Sequence, residues 1–154
     1  MLFHRRRWPD HLAAWLWRGR LAWRLTHSVQ ARARVGVVVE PDAQFYFDAA
    51  LASFDHVLAL APDDPVTLFD KGRTLKDFGA YAEAREVYRR LTCVAGHPND
   101  WYQLALVNND LGDKAELFAS LGQALALDPA LRADAVSDFE AYRDDTEFQH
   151  MLER

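Results

Sequence analysis

The stretch from Leu68 to Pro129 is nearly the same sentence written twice, and few folds accept that. PVTLFDKGRTLKDFGAYAEAREVYRRLTCVAGH runs from Pro65 to His97, and PNDWYQLALVNNDLGDKAELFASLGQALALDPA from Pro98 to Ala130. In register, Leu68 aligns with Trp101, Gly72 with Ala105, Gly79 with Gly112, Ala84 with Leu117 and Tyr88 with Leu121, each pair 33 residues apart. A half copy precedes them: Ala50, Phe54, Leu58 and Leu60, then Pro62, with Ala50–Ala84 and Phe54–Tyr88 both 34 apart. Self-similarity at this period marks supersecondary units that cannot bury an apolar face alone and must stack on their neighbours.

Within each copy the apolar residues recur at helical spacing. Leu68, Phe69, Leu75 and Phe78 mark one helix, and Tyr81, Ala84, Val87, Tyr88 and Leu91 a second. Gly79 and Gly112 fall where the first helix of each pair must stop, because glycine accepts the left-handed conformation of a helix end. Gly72, Ala84, Ala105 and Ala124 are small where two helices approach closely. Pro62, Pro98 and Pro129 punctuate the units. Asp64 before Pro65 reads as an N-cap followed by a proline in the first turn. The pattern predicts helices over 43–60, 65–78, 81–94, 99–111 and 114–127. Leu131, Ala135, Phe139 and Tyr142 suggest one further helix, and Phe148, Met151 and Leu152 a short last one.

These features resemble the tetratricopeptide repeat (TPR), whose signature runs Trp-x2-Leu-Gly-x2-Tyr, then Ala-x3-Phe, then Pro. The first full copy supplies Leu68, Lys71, Gly72, Leu75, Gly79, Tyr81, Ala84 and Tyr88. The second supplies Trp101, Leu104, Ala105, Gly112, Ala124, Leu127 and Pro129. Lys71 and Asn108 depart from it, standing where apolar or aromatic residues are usual, and Leu117 replaces the small alanine. The resemblance covers about residues 43–131. It implies an all-α fold: a short right-handed TPR-type solenoid of antiparallel helix pairs, with a C-terminal capping helix and an N-terminal basic amphipathic helix. The expected organisation is a Trp-rich basic helix in 1–34, a linker in 35–42, and an array in 43–131 made of an incomplete first repeat followed by 65–97 and 98–131. Residues 132–154 would form the cap that a terminal repeat needs.

The N-terminal segment differs from the rest in charge. Residues 1–34 hold eight arginines and one acid, a net +7, while the remainder holds ten basic and twenty-two acidic residues, a net −12. Four of the five tryptophans (Trp8, Trp15, Trp17 and Trp23) lie in the same segment. Leu12, Trp15, Leu16, Gly19, Trp23 and Thr26 follow one helical face from about Asp10 to Ala31. Arg18, Arg20 and Arg24 break the apolar run well short of the roughly 20 residues of a membrane span, and no convincing small-residue cleavage site follows. The segment reads as a helix packed on the open end of the array, a peripheral membrane anchor, a basic arm for nucleic acid or an acidic protein, or a targeting or upstream piece. Its contact residues in the second and third readings are Trp15, Arg18, Arg20 and Arg24. Val35–Asp42 reads as an extended linker or a distorted first helix of the incomplete repeat.

Catalytic chemistry finds no foothold. The six histidines never stand three or four apart, nor beside a cysteine pair. No glycine-rich phosphate loop or nucleophile elbow is present. Asp63-Asp64 and Asp144-Asp145 stand at helix starts, where carboxylates cap amides. The single cysteine, Cys93, excludes an internal disulfide and, set among Val87, Leu91 and Val94, reads as a small buried apolar residue. The expectation is a non-enzymatic protein with no cofactor and no metal.

The TPR resemblance places partner binding on the first helix of each pair. It implies groove positions at Val66, Phe69, Arg73, Lys76 and Asp77 in one copy and at Asn99, Tyr102, Leu106, Asn109 and Asp110 in the next. Phe69 and Tyr102 would be aromatic anchors, and Arg73 and Lys76 carboxylate ligands. The alternative for Phe69 and Leu106 is core packing. TPR domains that clamp a chaperone C-terminus use a lysine and asparagines at set positions; Phe69, Arg73, Gln103 and Leu106 stand there instead, which argues against that subtype. The expected function is a protein–protein interaction module, an adaptor or assembly factor in the cytoplasm, binding another protein or peptide and including a homo-oligomer among its partners. The alternative is a membrane-peripheral or nucleic-acid-associated protein that works through residues 1–34.

Overall fold

The structure is a computed structural model, and residues 11–36 and 42–153 are described. Among the described residues eight α-helices follow in order: α1 Leu12–Arg34, α2 Ala43–Leu60, α3 Pro65–Asp77, α4 Tyr81–Val94, α5 Pro98–Asp110, α6 Lys114–Leu127, α7 Arg132–Asp138 and α8 Thr146–Glu153. Short 3-10 turns at Pro129–Leu131 and Glu140–Tyr142 flank α7. No strand occurs among the described residues.

Local chemistry sets the boundaries. Asp42, Asp64 and Asp113 each accept a hydrogen bond from the amide three residues on, at Phe45 (3.0 Å), Thr67 (2.8 Å) and Glu116 (3.2 Å), so α2, α3 and α6 begin on carboxylate caps. At the start of α5 the bond runs backwards, from the His97 amide to the Asp100 carboxylate at 2.9 Å. The two copies stop their first helices identically. Gly79 (φ 85°) and Gly112 (φ 72°) are left-handed. The Ala80 amide returns to the Leu75 carbonyl, and the Asp113 amide to that of Asn108, both at 2.9 Å, which is the six-to-one closure of a glycine-terminated helix.

The chain divides into two compact units, Met1–Thr74 and Leu75–Arg154. In the first, α1 packs along α2. Trp15 meets His56 with ring centroids 4.3 Å apart, Gly19 lies against the Phe54 ring, and Ala22 shares a core cluster with Ala50 and Phe54. Positions rising along one helix meet positions falling along the other, so the pair is antiparallel. Gly19, Ala22, Thr26 and Val29 form the buried seam of α1, and a methyl group on Gly19 would sit 2.4 Å from the Phe54 ring. Thus α1 supplies the helix that the half copy lacks. It also runs to Arg34, beyond the expected end at Ala31, because Arg32, Ala33 and Arg34 are good helix formers and the first left-handed glycine is Gly36 (φ 78°). Of the anticipated linker, 37–41 lie outside the described residues, as do Trp8 and the first ten positions generally.

In the second unit, α5 and α6 enclose Tyr102, Ala105, Leu117, Phe118, Leu121, Ala124 and Leu125, and the tail covers that core with Ala135, Phe139 and Phe148. The tail is not the single helix that Leu131-to-Tyr142 periodicity predicts. The backbone leaves helical geometry at Phe139 (φ −115°, ψ 35°), where the ring, 1 % exposed, enters the core. Two departures from the repeat pattern find partners. Lys71 keeps its stem against the fold and donates Nζ to Asp55 Oδ1 at 2.6 Å. Asn108, fully buried, donates Nδ2 to Ser120 Oγ at 3.3 Å. Cys93 corrects the reading of a buried thiol: it is exposed, because α4 turns Leu91 and Thr92 inward and position 93 outward.

Candidate partner-binding surface

Side chains expected at the surface divide into those that face water and those the fold has taken for itself. Within the first unit, Val66 is exposed and Phe69 half-buried. Arg73 is engaged. Its Nη2 donates to Asp70 Oδ1 at 3.1 Å, and its guanidinium stacks over the Trp23 ring at 4.0 Å. The other Asp70 oxygen accepts from Arg20 Nε at 2.6 Å, with the Asp70 side chain only 5 % exposed. One buried carboxylate therefore holds two arginines, one from α1 and one from α3, and a buried charge needs such pairing. Arg73 and Arg20, both singled out as partner ligands, are part-exposed and engaged by Asp70 of the same unit. Trp15 is half-buried on His56. Arg18 lies over the Trp15 ring at 5.0 Å and remains exposed, as does Arg24.

Within the second unit, Lys76 Nζ donates to Gln103 Oε1 at 2.7 Å, joining the end of α3 to the middle of α5. Asp77, Asn99 and Asp110 are exposed, and Leu106 and Asn109 half-buried. Leu106 borders the α5–α6 core. Tyr102 is the clearest departure. It is 4 % exposed, its ring meets Phe139 edge-on, and its hydroxyl donates to Asp138 Oδ2 at 2.8 Å. Burial first, then the hydrogen bond and charge of Asp138 and the charge of Asp134, push its ionisation well above the ordinary tyrosine value. It joins α5 to the C-terminal elements and presents no aromatic face. Asp110 is raised too, by desolvation of its carboxylate, with Lys76 pulling the other way.

Asp70, Gln103 and Asp138 matter here and were not among the expected site residues. Asp70 has a faint signal in its three-residue spacing to Arg73. Asp138 and Trp23 have none, since they meet Tyr102 and Arg73 from distant stretches of chain. Among the described residues no group of three His, Cys, Asp or Glu side chains is placed to hold a metal ion, and no helix is long and apolar enough to cross a membrane.

Paired helices with glycine-closed ends, a capped terminus and polar side chains on α5 define a helical-repeat protein with a TPR-type fold. Solved TPR structures match it: the thermophilic TPR protein TTC0263 of Thermus thermophilus has a TM-score of 0.70 at 18% identity, covering 86% of this chain and 66% of that one. The MamA protein follows at 0.61 and 20%, covering 86% of this chain and 68% of that one. The chain thus spans about two thirds of the length of each, and at these identities the likeness is one of fold. No family model matches the sequence and no curated protein matches it.

Proposed function

We propose that this is a non-enzymatic interaction module that binds a segment of another protein along the α5 face of the second unit. The observation that supports the reading is the Lys76–Gln103 bond, which with the pull of Lys76 on Asp110 brings Lys76 to α5, where Leu106, Asn109 and Asp110 share one face by their spacing; Asp77 follows Lys76 in the chain. These residues combine one apolar contact, one cation and two carboxylates on rigid helices, an arrangement suited to an extended peptide. Desolvation raises the Asp110 carboxyl and Lys76 pulls it back down, so this exposed carboxylate is one that a cationic side chain complements. The preferred partner carries a lysine or arginine opposite Asp110 and an apolar residue opposite Leu106. Tyr102 positions α5 through Asp138. Phe69 and Arg73 are candidate contacts of their own unit, with Arg73 available only when it leaves Asp70 and Trp23.

The test is peptide-array binding by the full chain, followed by titration of the best peptide against Leu106→Glu and Asp110→Asn. Each variant is expected to weaken binding about tenfold or more, on the order of 1.4 kcal/mol, with melting unchanged in Asp110→Asn and lowered in Leu106→Glu, which borders the α5–α6 core; circular dichroism should show both folded. Binding of the selected peptides that is indifferent to both substitutions overturns this placement.

A further inference from the structure

The outward face of α1 has no role in the reading above. One side of this helix is the seam of Gly19, Ala22, Thr26 and Val29 against α2. On the opposite side Trp17 is 69 % exposed and, one turn on, Leu21 is 56 % exposed. Arg18 and Arg24 stand beside them, both exposed, and Arg32 and Arg34 continue toward the C-terminal end. The helix carries five arginines and no acid. A helix with one apolar face buried and a second apolar pair in water calls for a second contact.

We propose that this face docks on an anionic lipid surface. Tryptophan and leucine flanked by arginines match the boundary between acyl chains and headgroups: the apolar pair enters it while guanidinium groups engage lipid phosphates. The inner seam already holds the helix formed, so binding adds no folding cost. The net +7 of residues 1–34 against the −12 of the rest makes this segment, and not the remainder, the part of the chain that a negative surface attracts. Other occupants fit less well. A second copy meeting face to face would bring Arg18 and Arg24 against their own counterparts. A nucleic acid or acidic peptide uses the arginines but gains little from Leu21, which has neither a donor nor a ring to stack.

The test uses the full chain in cosedimentation with vesicles of phosphatidylcholine alone and of phosphatidylcholine mixed with phosphatidylglycerol. Binding is expected only to the mixed vesicles, and it should weaken as salt is added. Arg18→Glu with Arg24→Glu should reduce it about tenfold or more, since each arginine near the surface contributes roughly fivefold. Trp17→Ser with Leu21→Ser should also reduce it, and circular dichroism should show both double variants folded. Binding that survives both double variants overturns the proposal and moves the contact elsewhere in the chain. So does an absence of binding to the mixed vesicles. Loss in the arginine variant alone, with a DNA duplex or polyglutamate bound equally well, overturns it in favour of a polyanion contact. A dimer in light scattering that Trp17→Ser with Leu21→Ser converts to monomer overturns it in favour of a self-association face.

Discussion

Gly19 and Tyr102 each occupy a place that one atom decides. At Gly19 the helix can approach α2 only without a side chain, since an added Cβ would fall 2.4 Å from the Phe54 ring. Alanine would improve helix propensity by about 1 kcal/mol, but displacing a packed aromatic costs about 1–3 kcal/mol. Gly19→Ala should therefore be net destabilising in urea unfolding, and a compensating Phe54→Leu should recover part of the loss. At Tyr102 the deciding atom is the hydroxyl on Asp138. Tyr102→Phe keeps the ring in the core and removes the bond, a loss of about 0.5–1.5 kcal/mol. The pH dependence has a definite sign. The folded protein holds the Tyr102 proton above its ordinary ionisation, so the stabilisation is present below about pH 10 and declines above it as the unfolded chain ionises. Spectrophotometric titration of the folded protein should show Tyr102 ionising above the ordinary tyrosine value, and the Phe variant should lose that step.

The elements that close the chain are held by a tie at their surface. Asp145 caps α8 by accepting from the Glu147 amide at 2.9 Å and the Phe148 amide at 3.2 Å, and Lys114 at the start of α6 donates to the same carboxylate. The Lys114 bond, with these amides, holds the Asp145 carboxyl below the ordinary 3.8 and raises the Lys114 ammonium above its own usual value. A depressed acid contributes stability that is complete above the unfolded value and is lost as pH falls through the folded one. The α8 cap should therefore persist in mild acid and loosen as pH falls below the ordinary aspartate value. In NMR spectra the Phe148 and Gln149 amides should shift and broaden only as pH falls below the ordinary 3.8, while Leu104 and Ala105 in α5 keep their positions. Lys114→Met should move that change to higher pH.

At the scale of the molecule, α1 decides whether the first unit exists. It covers Ala50 and Phe54, gives Asp70 one of its two arginines and lays Trp23 under Arg73. A chain beginning at Val35 should melt several degrees lower or aggregate, because it exposes that core and leaves a buried carboxylate with half its partners. If it instead stays monomeric with unchanged melting, the packing of α1 contributes nothing to stability.

What the sequence determined by itself was the repeat. A period of 33 or 34, glycines where first helices end and prolines between units are local signals, and local backbone chemistry enforces them wherever the chain goes. The helices from α2 to α6 were legible within one residue at each end for that reason. Charge asymmetry and the Trp-rich start were equally plain, and four roles for that start remained open on residues alone. Tertiary structure chose among them in part, turning Gly19, Ala22, Thr26 and Val29 inward and leaving Trp17 and Leu21 out. It also engaged Arg73 with Asp70 and Trp23, buried Tyr102 and turned Cys93 outward. A helical face is known from spacing, but which stretch of chain arrives to cover it is not. Arg20 with Asp70, and Tyr102 with Asp138, are pairs that only the folded chain brings within hydrogen-bond reach, and such long-range pairs leave no period in a sequence to read.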